Sequence, residues 1–138
     1  MRDFRNEIKQ LGFCSNENEL NRICSGGVFE GLKDGIFDFE KLIVVAVAME
    51  DKQTLLDFIA DDSIFVLTNK RVVCFRKPGF GSVKTIDIPL SKIASIKKKT
   101  TCTIFIESVS GTIMAYQICG KKHNEMINKI IEYVYSVI

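Results

Sequence analysis

The sequence predicts an α+β chain: a small barrel or sandwich of about seven antiparallel strands, capped by a C-terminal helix and preceded by a helical N-terminal segment. Three observations predict it. Apolar residues recur at helical spacing up to about residue 35. From Leu42 to Ile118, short runs rich in β-branched residues alternate with Gly, Pro, Asn, Asp and Ser. Residues 121–137 then return to helical period. The 138 residues are enough for one domain with a buried core, and 46% hydrophobic with 26% charged residues excludes extended disorder and collagen-like repeats.

Phe4, Ile8 and Leu11 share one helical face, and Gly12 supplies a left-handed stop. Asn16 with Glu19 three residues on reads as a capping box for a second helix carrying Leu20, Ile23 and Cys24, which Gly26-Gly27 ends. Val28, Phe29 and Leu32 add one further turn before Asp34-Gly35. Such short helices are marginal alone in water and need a surface to pack on.

Seven strand-like runs follow, at 42–50, 64–68, 71–76, 83–88, 93–98, 101–107 and 112–118. Their connections are short, including Asn69-Lys70 and Ser110-Gly111, so consecutive strands pair as an antiparallel meander. So many short strands expose too many edges unless the sheet curls or folds into two layers. Residues 121–137 form an amphipathic helix, with Met126, Ile127, Ile130, Ile131, Val134 and Val137 on its apolar side, suited to plugging an open end. The expected organisation is a helical segment, 1–35, packed on a β domain, 36–138.

The formal net charge of +2 hides an asymmetry: residues 1–62 hold 7 Lys and Arg against 13 Asp and Glu, whereas residues 63–138 hold 12 against 4. That pattern argues for contact between unlike surfaces, within one chain or between copies, and against a uniformly basic lipid or nucleic-acid binder. The N-terminus lacks the apolar stretch of a signal peptide and no run approaches the ~18 residues that span a bilayer, so the expected location is the cytoplasm. Five cysteines without a C-x-x-C pair, and His123 as the one histidine, give no zinc cage and no cofactor site. Cys74, Cys102 and Cys119 read as small hydrophobes in strands.

The run at 64–75, IFVLTNKRVVCF, resembles the hairpin signature of the bacterial pleckstrin-homology-like (bPH, YokE-type) domain family, and PLSKIASI at 89–96 resembles that family's step into the fifth strand. With the C-terminal helix, the likeness spans residues 38–138. It implies a PH-like barrel of two nearly orthogonal antiparallel sheets closed by one helix, in a family that is generally not enzymatic. Residues 64–75 also have a local reading: Asn69 tolerates the positive φ of a tight turn, and Lys70 and Arg71 keep that turn in solvent.

No catalytic constellation emerges. His123 sits at a helix start without a partner nucleophile, the carboxylate pairs Glu50-Asp51 and Asp61-Asp62 lie in loops without His or Cys support, and Gly79-Phe80-Gly81-Ser82 lacks the spacing of a phosphate-cradling loop. The expectation is no enzyme, no metal and no cofactor. PH domains that bind phosphoinositides use Lys and Arg around the loop between the first two strands. Here that loop, 50–62, has five acidic residues against Lys52 and departs from the pattern. Its Leu55, Leu56, Phe58 and Ile59 form a candidate protein contact or a short helix folded back on the barrel. Arg76, Lys77, Phe80 and Lys84, in a basic hairpin loop with an aromatic tip, are the candidate lipid or phosphate contacts. Lys97-Lys98-Lys99 reads as a strand edge made unattractive to other strands.

Strand parity adds one inference. The hairpin is expected to place Ile64, Val66, Val72 and Cys74 on one face and Phe65, Leu67, Val73 and Phe75 on the other, so both faces are buried. The N-terminal helices or a second copy of the chain must then cover the outer face. The functional expectation is a non-catalytic module for protein contact or self-association, with peripheral membrane binding as the alternative and no support for nucleic acid.

Overall fold

Side-chain caps set the first two helices. In the computed structural model, which describes residues 2–50, 63–77 and 81–138, α1 (Phe4–Gln10) starts at Asp3, whose carboxylate accepts the Asn6 amide at 3.0 Å. In α2 (Glu17–Ile23), Asn16 accepts the Glu19 amide at 3.0 Å. Glu19 reaches back to the Ser15 amide at 2.7 Å, one residue earlier than a capping box requires. Its other oxygen accepts the Lys121 amide at 3.0 Å, tying α2 to the start of the C-terminal helix. These bonds hold the Glu19 carboxyl below its ordinary range.

The third helix corrects the sequence expectation: α3 (Gly26–Gly35) has ten residues, not one turn, and the Gly26-Gly27 pair begins it. Glycine is a poor helix former, yet Gly27, Gly31 and Gly35 share one face, and their missing side chains let α3 approach the sheet closely. A Cβ at Gly31 would lie 2.7 Å from Val83 Cγ1, and one at Gly35 2.5 Å from Phe75 Cε1. Packing overrides propensity.

Seven strands follow: β1 (Leu42–Glu50), β2 (Ser63–Thr68), β3 (Arg71–Arg76), β4 (Lys84–Pro89), β5 (Ile93–Lys98), β6 (Thr103–Ser108) and β7 (Ile113–Ile118). They form one antiparallel sheet in the order β4-β3-β2-β1-β7-β6-β5. The expected barrel is therefore not closed. β4 and β5 are the edges, joined by a 3-10 turn at Leu90–Lys92. Pro89 ends β4 without a donor, and the register of β5 on β6 is irregular between Ile93 and Ser95. The sheet still wraps one core: Ile88 of β4 and Ile93 and Ile96 of β5 belong to the same buried cluster as Phe65, Ile106 and Met114. Helix α4 (His123–Val137) adds Met126, Ile127, Ile130 and Val134 to that cluster, whereas Val137 stays half-exposed. Of the three cysteines expected in strands, only Cys74 lies in one. Cys102 falls in the turn before β6, and Cys119 follows β7.

The hairpin is buried on both faces, but its parity differs from the expectation. Val66 pairs with Val73, Phe65 with Cys74, Leu67 with Val72 and Ile64 with Phe75. The two-residue Asn69-Lys70 turn makes even positions of β2 face odd positions of β3. Phe65, Leu67, Val72 and Cys74 thus point into the barrel core, and Ile64, Val66, Val73 and Phe75 point outward. The outer set packs against Phe4, Ile8, Leu20, Ile23, Phe29 and Leu32 of the helices, so this chain covers its own sheet.

The turn is also built differently. Among the described residues no side-chain-bearing residue has positive φ, so Asn69 does not supply it. Thr68 Oγ1 instead accepts the Lys70 and Arg71 amides, each at 3.1 Å, and Asn69 exchanges bonds with the Lys41 backbone. Nor does Arg71 stand in solvent. Its guanidinium donates to both oxygens of Glu40, at 2.9 and 3.1 Å, and to the Gly35 carbonyl at 2.6 Å. The Glu40 side chain is 1% exposed and also accepts from Thr68 Oγ1 and the Phe37 amide. Burial pushes the Glu40 carboxyl up, but the bonds from Arg71, Thr68 and Phe37 outweigh it and hold the group below its ordinary range.

Two outcomes follow from this architecture. Removal of residues 1–33 strips the outer face, and the remaining chain should aggregate or melt well below the full chain; a soluble monomer of unchanged melting temperature would contradict the packing. Glu40→Gln should cost ~3 kcal/mol in denaturant unfolding, since it leaves a largely buried Arg71 with only the more exposed Asp87, at 3.5 Å, as a counter-ion. The depressed Glu40 pKa contributes stability above the unfolded value of about 4.3 that is lost as pH falls through the folded value, so the variant should show a shallower acid limb.

Candidate interaction surfaces

At one end of the sheet β1 and β3 stop and β2 and β4 start. Arg76, the first candidate lipid contact, pairs with Glu50 across this end at 3.1 Å. Lys77 lies along α3, its Cδ 2.8 Å from where a Cβ on Gly27 would sit. Lys84 is exposed on β4, opposite Arg76 in the register. Phe80 lies outside the described residues, as do Leu55, Leu56, Phe58 and Ile59 of the candidate protein contact. Below this end, burial pushes the Cys74 thiol up to about 11 and raises the Tyr116 phenol, so both stay protonated at neutral pH.

Among the described residues His123 has no nucleophile as its hydrogen-bond partner. His123 sits in the first turn of α4 with Nδ1 2.9 Å from the Gly120 carbonyl. Among the described residues no group of three or more His, Cys, Asp or Glu side chains converges to hold a metal ion. Of the lysine run, Lys97 sits over the Phe105 ring at 5.2 Å and Lys98 donates to Asn124 of α4 at 2.6 Å. Those two charges are thus engaged on their own chain.

A surface that the sequence analysis did not single out lies at the junction of α3 and β1. Phe37 and Phe39 stack with ring centroids 5.5 Å apart, 54% and 68% exposed. Their backbone is pinned from below. Arg2 donates to the Phe37 and Glu40 carbonyls, Glu40 holds the Phe37 amide, and Arg71 lies under the Phe37 ring at 5.1 Å. Beside Phe39 lies a shallow, open depression lined by Arg2, Glu7, Asp38, Glu40 and Lys41. The available signal was the alternation Phe37-Asp38-Phe39, two aromatics flanking an acid in a connection.

The family model described as bacterial PH domain matches residues 38–136. No curated protein matches the chain. Two solved structures are similar in fold: the C-terminal domain of an unknown protein from Leishmania infantum, and the N-terminally truncated linker-DH/PH domains of p115-RhoGEF. Each shares 10% identity at a TM-score of 0.54. The first alignment covers 87% of this chain and 99% of that one; the second covers 96% of this chain and 41% of the longer multidomain chain. At that identity the likeness concerns the fold. The match over residues 38–136, with the seven-stranded antiparallel sheet and its C-terminal helix, makes this chain a member of the bacterial PH domain family.

Proposed function

We propose that this chain is a non-catalytic binding module, acting in the cytoplasm by protein contact, in which residues 36–138 are the PH-like scaffold and residues 1–35 a packed helical addition. The bacterial PH fold is typically an interaction module. The observation that carries the choice of protein over lipid is that Arg76 of the basic hairpin is already paired with Glu50, which leaves Lys77 and Lys84 as its exposed cations. Residues 50–62 carry five carboxylates, which repel inositol phosphates and anionic leaflets. Peripheral membrane binding through Arg76, Lys77, Phe80 and Lys84 is the alternative, favoured by the exposure of Lys84 beside that pair. No helix among the described residues is long and apolar enough to cross a membrane.

Co-sedimentation with vesicles of about 30% phosphatidylserine at about 20 mM salt separates the two readings, because weak screening favours any lipid contact. The chain is expected to stay in the supernatant. Salt-sensitive pelleting that Lys84→Glu abolishes would replace the protein-contact reading with the lipid one.

A further inference from the structure

We propose that the Phe37-Asp38-Phe39 tip and the depression beside it form a self-association surface whose occupant is a second copy of this chain. The inference deepens the protein-contact reading and rests on it.

Two stacked phenylalanines more than half exposed leave apolar area in water that no contact within the chain removes. They are not a slack loop. Arg2, Glu40 and Arg71, two of them held in a buried ion pair, fix the Phe37 backbone and underlie its ring, on which Phe39 stacks. A preorganised aromatic pair is what a contact surface needs to lose little entropy on docking.

The choice of occupant follows from shape and charge. An isologous interface requires one patch to carry both a feature and its complement. Here the projecting ring of Phe39 borders the depression, and the lining includes the exposed Lys41 ammonium, a cation suited to an aromatic face, whereas Arg2 is already held by Glu7 and the Phe4 ring. Within this lining Arg2 pairs with Glu7 and Glu40 with Arg71, which leaves Asp38 and Lys41 as its exposed charges of opposite sign. A two-fold arrangement can therefore set Asp38 of one copy against Lys41 of the other, reciprocally. An anionic membrane or nucleic acid would meet no net positive charge here, which disfavours both. The helices already satisfy the outer sheet face, so the contact rests on this tip and not on the hairpin.

Sedimentation velocity of the full chain, from about 10 µM to about 1 mM, tests the proposal in the range where a weak dimer titrates. The mass should rise from 15.6 kDa toward twice that value. Phe39→Ser should weaken the dimer at least ~10-fold, as expected for a central aromatic anchor. Its melting temperature should stay near that of the parent, because the ring is mostly in solvent. Asp38→Lys and Lys41→Asp should each be impaired alone and should associate with each other when mixed. A chain that stays monomeric throughout, or a dimer indifferent to Phe39→Ser, would overturn the proposal. Neither result touches the protein-contact reading, which stands or falls on the vesicle experiment.

Discussion

A strand buried on both faces has no solvent side to turn outward, and β2 and β3 are such strands. Phe65, Leu67, Val72 and Cys74 fill the barrel core, which leaves Ile64, Val66, Val73 and Phe75 in need of a second cover. The three N-terminal helices supply it, and their construction answers to that task. None is long enough to be stable by itself. α3 carries three glycines on the face it turns to Lys77, Val83 and Phe75, exchanging intrinsic helix stability for close approach. In physical terms the helical segment completes the sheet.

Charge asymmetry serves the same joint. The acidic first half of the sequence meets the basic second half inside one molecule, through Glu40 with Arg71, Glu50 with Arg76, and Glu19 with the Lys121 amide. The Glu40 pair is the costly one, because both partners are largely withdrawn from water and stay charged by bonding each other, Thr68, the Gly35 carbonyl and the Phe37 amide. The pair binds the end of α3 and the entry to β1 to the hairpin turn, and the aromatic tip stands on this foundation.

Much of the architecture was legible in the residues, because period and turn chemistry are local. The seven strands and the terminal helix lie within two residues of where alternation and Gly, Pro, Asn and Ser punctuation place them. What was not legible depended on distant parts of the chain. The length of α3 was hidden by its glycines, whose reason is Phe75 some forty positions on. The facing of β2 against β3 turned on a one-residue register that the Asn69-Lys70 turn fixes. Arg71 looked like a solvated turn residue because nothing nearby in sequence announces Glu40 as its buried partner. Phe37 and Phe39 gave no signal by period, since exposed aromatics in a connection read locally like any loop. Of the contacts singled out from sequence, Arg76, Lys77 and Lys84 gather at one end of the sheet, and Leu55, Leu56, Phe58, Ile59 and Phe80 fall outside the described residues.

The central claim is that α3 lies directly against the outer face of β3, so that the hairpin is satisfied within one chain. The melting temperature of Gly35→Ala tests it by sign. In a helix facing open space, alanine in place of glycine stabilises by up to about 1 kcal/mol. Here the added methyl would meet the ring of Phe75, which is fully buried and has no room to retreat. The account predicts a loss of ~1–3 kcal/mol, read as a fall of several degrees in the melting temperature. A melting temperature equal to or above that of the parent would contradict it.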